Sequence, residues 1–190
     1  MSKKPIKRAE RIEIIYDKKH WKLLEQLRST DIIVFATPLY VDNVTGLMKN
    51  FMDRILPLGE PYLVKDEKGE CRHPARHGKT PKIAVISNCG FPEQSHFQVL
   101  QLLFKRVARN MNSEVIAEIY RGAGELLKQS DPQLVPIIDN YKDVLRKAGR
   151  EVVEQSRLSD ETIEELKKPL LPYDKYITTA NEFFDKILKK

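Results

Sequence analysis

Two short apolar runs stand out from an otherwise mixed chain. Asp31–Pro38 (DIIVFATP) and Lys82–Cys89 (KIAVISNC) have aliphatic interiors with no polar alternation. A strand covered on both faces of a parallel sheet reads this way. Glu114–Tyr120 (EVIAEIY) is a third predicted strand, ending at Arg121-Gly122, and Ile12–Tyr16 (IEIIY) is a candidate edge strand. Between the strands, hydrophobic residues recur at helical spacing. His20–Ser29 carries Leu23, Leu24 and Leu27. Gly46–Leu56 sets Leu47, Met48, Phe51, Met52, Ile55 and Leu56 on one stripe, with Thr45 as its N-cap. From Pro92 to Asn112 the inward positions are Phe97, Leu100, Leu103, Phe104, Val107 and Met111. Further helices are predicted over 134–156, 159–168 and Tyr173–Lys190, the last amphipathic through Ile177, Ala180, Phe184 and Ile187.

Strands alternating with helices imply an α/β fold, an open parallel sheet with helices on both faces. The chain reads as a basic, flexible stretch over 1–11 and a single domain over 12–190 with a C-terminal helical extension. Residues 57–81 form a long excursion rich in Pro, Gly and charge, with a hairpin expected about Asp66–Gly69. Ligands of such sheets sit beyond the carboxyl ends of the strands. Attention therefore falls on the loops after Pro38 and after Cys89.

Composition narrows the function classes. The net charge of +6 is spread along helices and interleaved with acids, which argues against a nucleic-acid partner and suits an anionic cofactor. No apolar run approaches the roughly 20 residues of a membrane span, and the basic start lacks the apolar core of a secretory signal. The two cysteines, Cys71 and Cys89, form no CxxC pair, so the expected setting is a reducing cytoplasm. Cys71, His73 and His77 lie close in sequence, but zinc sites want doubled and tighter spacing, and no metal is expected.

The first loop holds Thr37, Pro38, Leu39, Tyr40, Val41, Asp42, Asn43 and Val44. Tyr40 offers a flat face with a polar tip, either to a planar ligand or as a cap on the core. Asn43 and the amides near the following helix start could meet ring carbonyls. The second loop holds Ser87, Asn88, Cys89, Gly90 and Phe91. Gly90 lets backbone approach a ligand, and Asn88 brings an amide donor and an acceptor. Phe91 either stacks on a ring or lies under the helix. Cys89 has no base beside it in sequence and reads as an inert thiol. Asp53 and Arg54 read as structural.

The segment DIIVFATPLYVDNVTGLMKNFMDRILP resembles the NADPH-dependent FMN reductase and iron–sulfur flavoprotein group of flavodoxin-like proteins. The resemblance rests on Asp31, Pro38, Tyr40, Gly46, Lys49, Asp53 and Arg54, and VISNCGFPEQSHF is similar to that group's next flavin loop. It implies a flavodoxin-like fold with FMN held at these strand ends. Pro38–Val44 would flank the isoalloxazine, and Ser87–Phe91 would contact its other side. Electrons would pass from NAD(P)H through the flavin to quinones, other flavins or iron–sulfur centres, in a homodimer or homotetramer. The flavin would carry the chemistry, with no catalytic side chain. Relative to the group, residues 1–20 contain no glycine, no cysteine and no phosphate loop. The expectation is an N-terminally shortened domain, with a partner chain as one source of that loop. The alternative is a cofactor-free, non-catalytic subunit or half of a split flavoprotein, acting through its interface.

Overall fold

The computed structural model describes residues 18–75 and 80–188. The expected edge strand Ile12–Tyr16, the basic stretch 1–11 and His77 lie outside the described residues.

The first described helix, α1, spans Lys18–Ser29 and leads into β1, Ile32–Pro38. Thr45 caps α2 (Gly46–Arg54) by accepting the Met48 amide at 3.2 Å. The helix ends earlier than its apolar stripe, because Pro57 takes Leu56–Leu58 into a 3-10 turn. The excursion that follows holds a two-stranded hairpin of β2 (Val64–Lys65) and β3 (Cys71–Arg72) about the expected turn. Asp66 Oδ1 accepts the amides of Lys68 and Glu70 within that turn. Arg109 grips the same carboxylate at 2.6 Å, which pins the hairpin to the long helix described next.

β4 (Lys82–Asn88) runs into a 3-10 turn, Gln94–Phe97, and then α3, Gln98–Asn110. The regular helix thus begins later than Pro92, because the Phe91 carbonyl is engaged by the Ala123 amide at 2.9 Å. β5 covers Val115–Arg121 and is followed by a 3-10 turn, Gly124–Lys128. Three helices complete the chain: α4 (Val135–Gln155), α5 (Asp160–Lys167) and α6 (Tyr173–Leu188). Among the described residues β1, β4 and β5 form one parallel sheet in that spatial order.

One sheet face packs Ile33, Phe35, Ile83 and Val85 against Phe97, Leu100 and Phe104. The other sets Ala84, Ala117 and Ile119 under Tyr141, Ala148 and Leu166 of α4 and α5. That second cover stops short. Val34 is 54% exposed and Ile86 41%, so β1 and β4 are not enclosed on both sides as their apolar runs suggest. An apolar run records that a strand can be covered, not that a helix lies there.

Two polar knots fasten the second layer. Glu151 is buried, and its carboxylate accepts from the Ser159 amide and from the hydroxyls of Ser159 and Thr162 at 2.8–2.9 Å. The Ser159 amide and the two hydroxyls, with Lys147 nearby, outweigh desolvation and hold this carboxyl below its ordinary range. Arg121, also buried, donates to the Lys168 carbonyl at 2.8 Å and to the Leu166 carbonyl. Its guanidinium lies 4.3 Å from the Tyr141 ring centroid. These carbonyls are the unpaired end of α5, so the cation caps a helix C-terminus.

Candidate functional site

In the parallel ladder Pro38 stands opposite Asn88, and Asn88 opposite Arg121. Three strands therefore end side by side, and their loops leave the same edge. The Leu39 amide donates to the Asn88 carbonyl at 2.8 Å, and the Cys89 amide to the Arg121 carbonyl at 3.1 Å. Backbone hydrogen bonds thus continue past the strands and fix the loops relative to one another.

The first loop closes on itself. Tyr40 and Asn43 exchange backbone hydrogen bonds at 3.0 and 3.1 Å around Val41 and Asp42, whose φ values are 49° and 56°. Two consecutive left-handed residues are what a tight primed turn requires, here without glycine. The turn holds out Tyr40, 64% exposed, and Val41, 98% exposed. Asn43 spends its side-chain oxygen on the Val44 amide at 2.8 Å. Thr37 is buried and accepts from the Thr45 amide at 3.2 Å. Val44 and Ser87 are buried too, and Ser87 Oγ has no hydrogen-bond partner among the described residues.

Beyond the strand ends lies a cleft of about 240 Å³, lined by Pro38, Leu39, Tyr40, Asn88, Cys89, Gly90, Gly124, Glu125 and Lys128. The structure thus brings Pro38, Leu39, Tyr40, Asn88, Cys89 and Gly90 together. It keeps Thr37, Val44 and Ser87 in the layer beneath, and Val41, Asp42, Asn43 and Phe91 off the lining. Phe91 is neither under the helix nor a free platform: it is 61% exposed and stacks on His96 with centroids 4.5 Å apart.

Gly124, Glu125 and Lys128 follow β5 and were not among the candidates from sequence. The available signal was Gly122 and Gly124 at the end of a third parallel strand. At Gly124 a Cβ would stand 2.9 Å from the Asn88 side chain, so this glycine makes room for Asn88. At Gly122 a Cβ would meet the Pro92 carbonyl oxygen at 2.3 Å, so the second loop packs directly on backbone. Gly90 is the opposite case, with nothing within 4 Å of its Cβ position. Its Cα faces open space, while its carbonyl oxygen accepts from the Tyr176 hydroxyl.

Burial raises the Cys89 thiol above its ordinary pKa, and the carboxylates of Glu125 and Glu93 push the same way against a hydrogen bond to the Phe91 carbonyl. Cys89 is therefore a protonated lining group at neutral pH. Among the described residues no three His, Cys, Asp or Glu side chains are grouped to hold a metal. No described helix is long and apolar enough to cross a membrane.

Neighbouring parallel strands whose carboxyl-end loops frame a shallow cleft define an open-sheet α/β protein, with the cleft at the edge where such sheets bind ligands. The chain belongs to the flavodoxin-like fold family, whose model matches residues 7–123. It is 50% identical over 34 residues to an iron–sulfur flavoprotein of Archaeoglobus fulgidus, a match covering 18% of this chain and 17% of that protein. It is 33% identical over 72 residues to an FMN-dependent NADH:quinone oxidoreductase of Mycoplasma mobile, covering 37% of this chain and 34% of that one. The matched segments thus span about a third or less of these curated relatives. The crystal structure of an FMN-dependent NADH-azoreductase from Bacillus anthracis in complex with FMN shares the fold, with a TM-score of 0.51 at 20% identity over 77% of this chain and 67% of that chain.

Proposed function

We propose that this chain holds the isoalloxazine ring of FMN in an NAD(P)H-dependent oxidoreductase or electron-transfer flavoprotein. One observation carries the reading: Tyr40 and Gly90 face a single cleft from two different strand-end loops. An exposed aromatic on one side and open backbone on the other suit a flat heterocycle. The cleft's 240 Å³ falls below the roughly 300–1,000 Å³ of pockets that enclose a whole drug-sized ligand. It suits one ring system with the rest of the cofactor outside.

FMN supplies hydride acceptance and electron transfer when bound; this chain's residues position it. Leu39 and Pro38 form the apolar floor beside Tyr40. The Asn88 amide, seated against Gly124, offers a donor and an acceptor to the ring's polar edge. Lys128, at the rim, favours negative charge on that edge. The phosphate would be held outside this cleft, and a partner chain is one source of the loop that would hold it. A homo-oligomer in a reducing cytoplasm fits the two free thiols, Cys71 and Cys89.

The test is the visible spectrum of the freshly isolated protein, followed by FMN titration. Yellow protein with the two-band absorption of oxidised flavin supports the reading. Tyr40→Ala and Gly90→Val should each lower FMN affinity about tenfold or more while far-UV circular dichroism is unchanged. Colourless protein that ignores added FMN, or unchanged affinity in both variants, rejects it.

A further inference from the structure

The second loop spends its carbonyls on one side. The Cys89 carbonyl accepts from the Gly124 amide and the Phe91 carbonyl from the Ala123 amide, each at 2.9 Å. The Gly90 carbonyl between them meets no backbone donor among the described residues. It accepts instead from the Tyr176 hydroxyl of α6 at 2.5 Å. In a trans peptide the N–H points opposite to the C=O, and no cis bond occurs among the described residues. The Gly90 amide is therefore turned away from Gly124, and the Phe91 amide away from Tyr176. Neither amide has a hydrogen-bond partner among the described residues, and Pro92 brings no N–H. Two consecutive free donors thus stand on a loop that lines the cleft through Gly90. Backbone sets the direction of the first. A side chain 86 residues along the chain from Gly90 sets the second.

We infer that Tyr176 is a positioning residue of the candidate site: it holds the Gly90–Phe91 peptide so that the N–H stays turned outward, as a donor for the carbonyl edge of a bound ring. The donor's use rests on the flavin reading above; its direction does not. The side chain suits the task, because its ring packs partly buried against the core under α4 and α5 while its hydroxyl reaches out to the loop. The same hydroxyl contacts the carboxylate of Glu125, which lines the cleft from the third loop. Its single hydrogen is shared between the two acceptors, so one group ties both loops to α6. Without the hydroxyl this peptide keeps no described partner for its carbonyl, and glycine on its amino side restricts its rotation least. A fixed N–H dipole favours negative charge over a neutral ring. Its loss therefore weakens the hold on reduced, anionic FMN more than on oxidised FMN.

The test is Tyr176→Phe in the full chain, beside Phe184→Ala, which alters α6 at an exposed position and keeps the hydroxyl. Circular dichroism checks that both variants fold. In the flavin-free protein, NMR relaxation should show the order parameter of the Phe91 amide falling from roughly 0.85 to below about 0.6 in Tyr176→Phe, and staying high in Phe184→Ala. FMN affinity should fall about tenfold in Tyr176→Phe alone. The midpoint potential of the bound flavin should move to a more negative value in the same variant. An unchanged order parameter overturns the inference. So do wild-type affinity and potential in Tyr176→Phe, and so do equal losses in Phe184→Ala, which mark a general loosening of α6. Wild-type protein that ignores FMN rejects the flavin reading, and the order parameter then decides by itself whether Tyr176 holds the peptide.

Discussion

The hydroxyl of Tyr176 lies 2.5 Å from the carbonyl oxygen of Gly90. A residue near the C-terminus thereby holds the loop that opens the candidate cleft, and the same hydroxyl meets Glu125 of the third loop. Tyr176→Phe removes these bonds and keeps the ring. It should cost about 1 kcal/mol in stability, and faster amide exchange should be confined to α6 and the segment about Gly90.

Gly124→Val drives a side chain into Asn88, whose atoms stand 2.9 Å from where the first added carbon would lie. The expected outcome is a loss of about 1–3 kcal/mol in urea unfolding, with weakened FMN binding. Gly90→Val meets open space, so its stability should match the wild type. A cleft that depends on Asn88 separates the two variants by stability and unites them by affinity.

Arg121 caps the end of α5 from inside the protein. Arg121→Met removes a charge-assisted cap and strands two carbonyls. The expected loss is about 2–3 kcal/mol by chemical denaturation. Arg121→Lys should recover little of it, because a point charge cannot stack on Tyr141 while reaching both carbonyls.

Glu151 sets a pH dependence. Its carboxyl is held below the ordinary range in the folded chain, chiefly by the Ser159 amide. A depressed folded-state value adds stability that is fully present above the ordinary glutamate range, about pH 4.3, and is lost as pH falls through the folded value. Urea midpoints of the wild type should therefore drop on acidification. Glu151→Gln should be less stable at neutral pH and should show a smaller drop below about pH 4.3.

The two thiols should separate by rate. Cys71 is exposed, whereas burial holds Cys89 protonated. At neutral pH iodoacetamide should label Cys71 first, with Cys89 labelling rising only above the ordinary thiol range near pH 8.5. Peptide mapping at a series of pH values reads both.

The strands and helices were legible because β1 and β4 are unbroken apolar runs and Leu100, Phe104 and Phe97 recur on one helical face. The two loops after Pro38 and Asn88 followed from strand direction alone. The third loop escaped because Gly124 and Lys128 carry no motif; only their place after a neighbouring strand gives them meaning. The bare patch at Val34 and Ile86 was hidden for a related reason, since side-chain chemistry does not say which helix arrives. The turn was hidden at Val41, because a β-branched residue rarely takes left-handed backbone, whereas Asp42 beside it is a residue type that tolerates it.

That turn carries a last consequence. Holding Val41 and Asp42 at positive φ without glycine costs on the order of 1 kcal/mol for each residue, and the surrounding bonds meet that cost in the folded chain before any ligand arrives. The doorpost of the cleft is thus already set. An incoming molecule loses little affinity to ordering this side of the entrance.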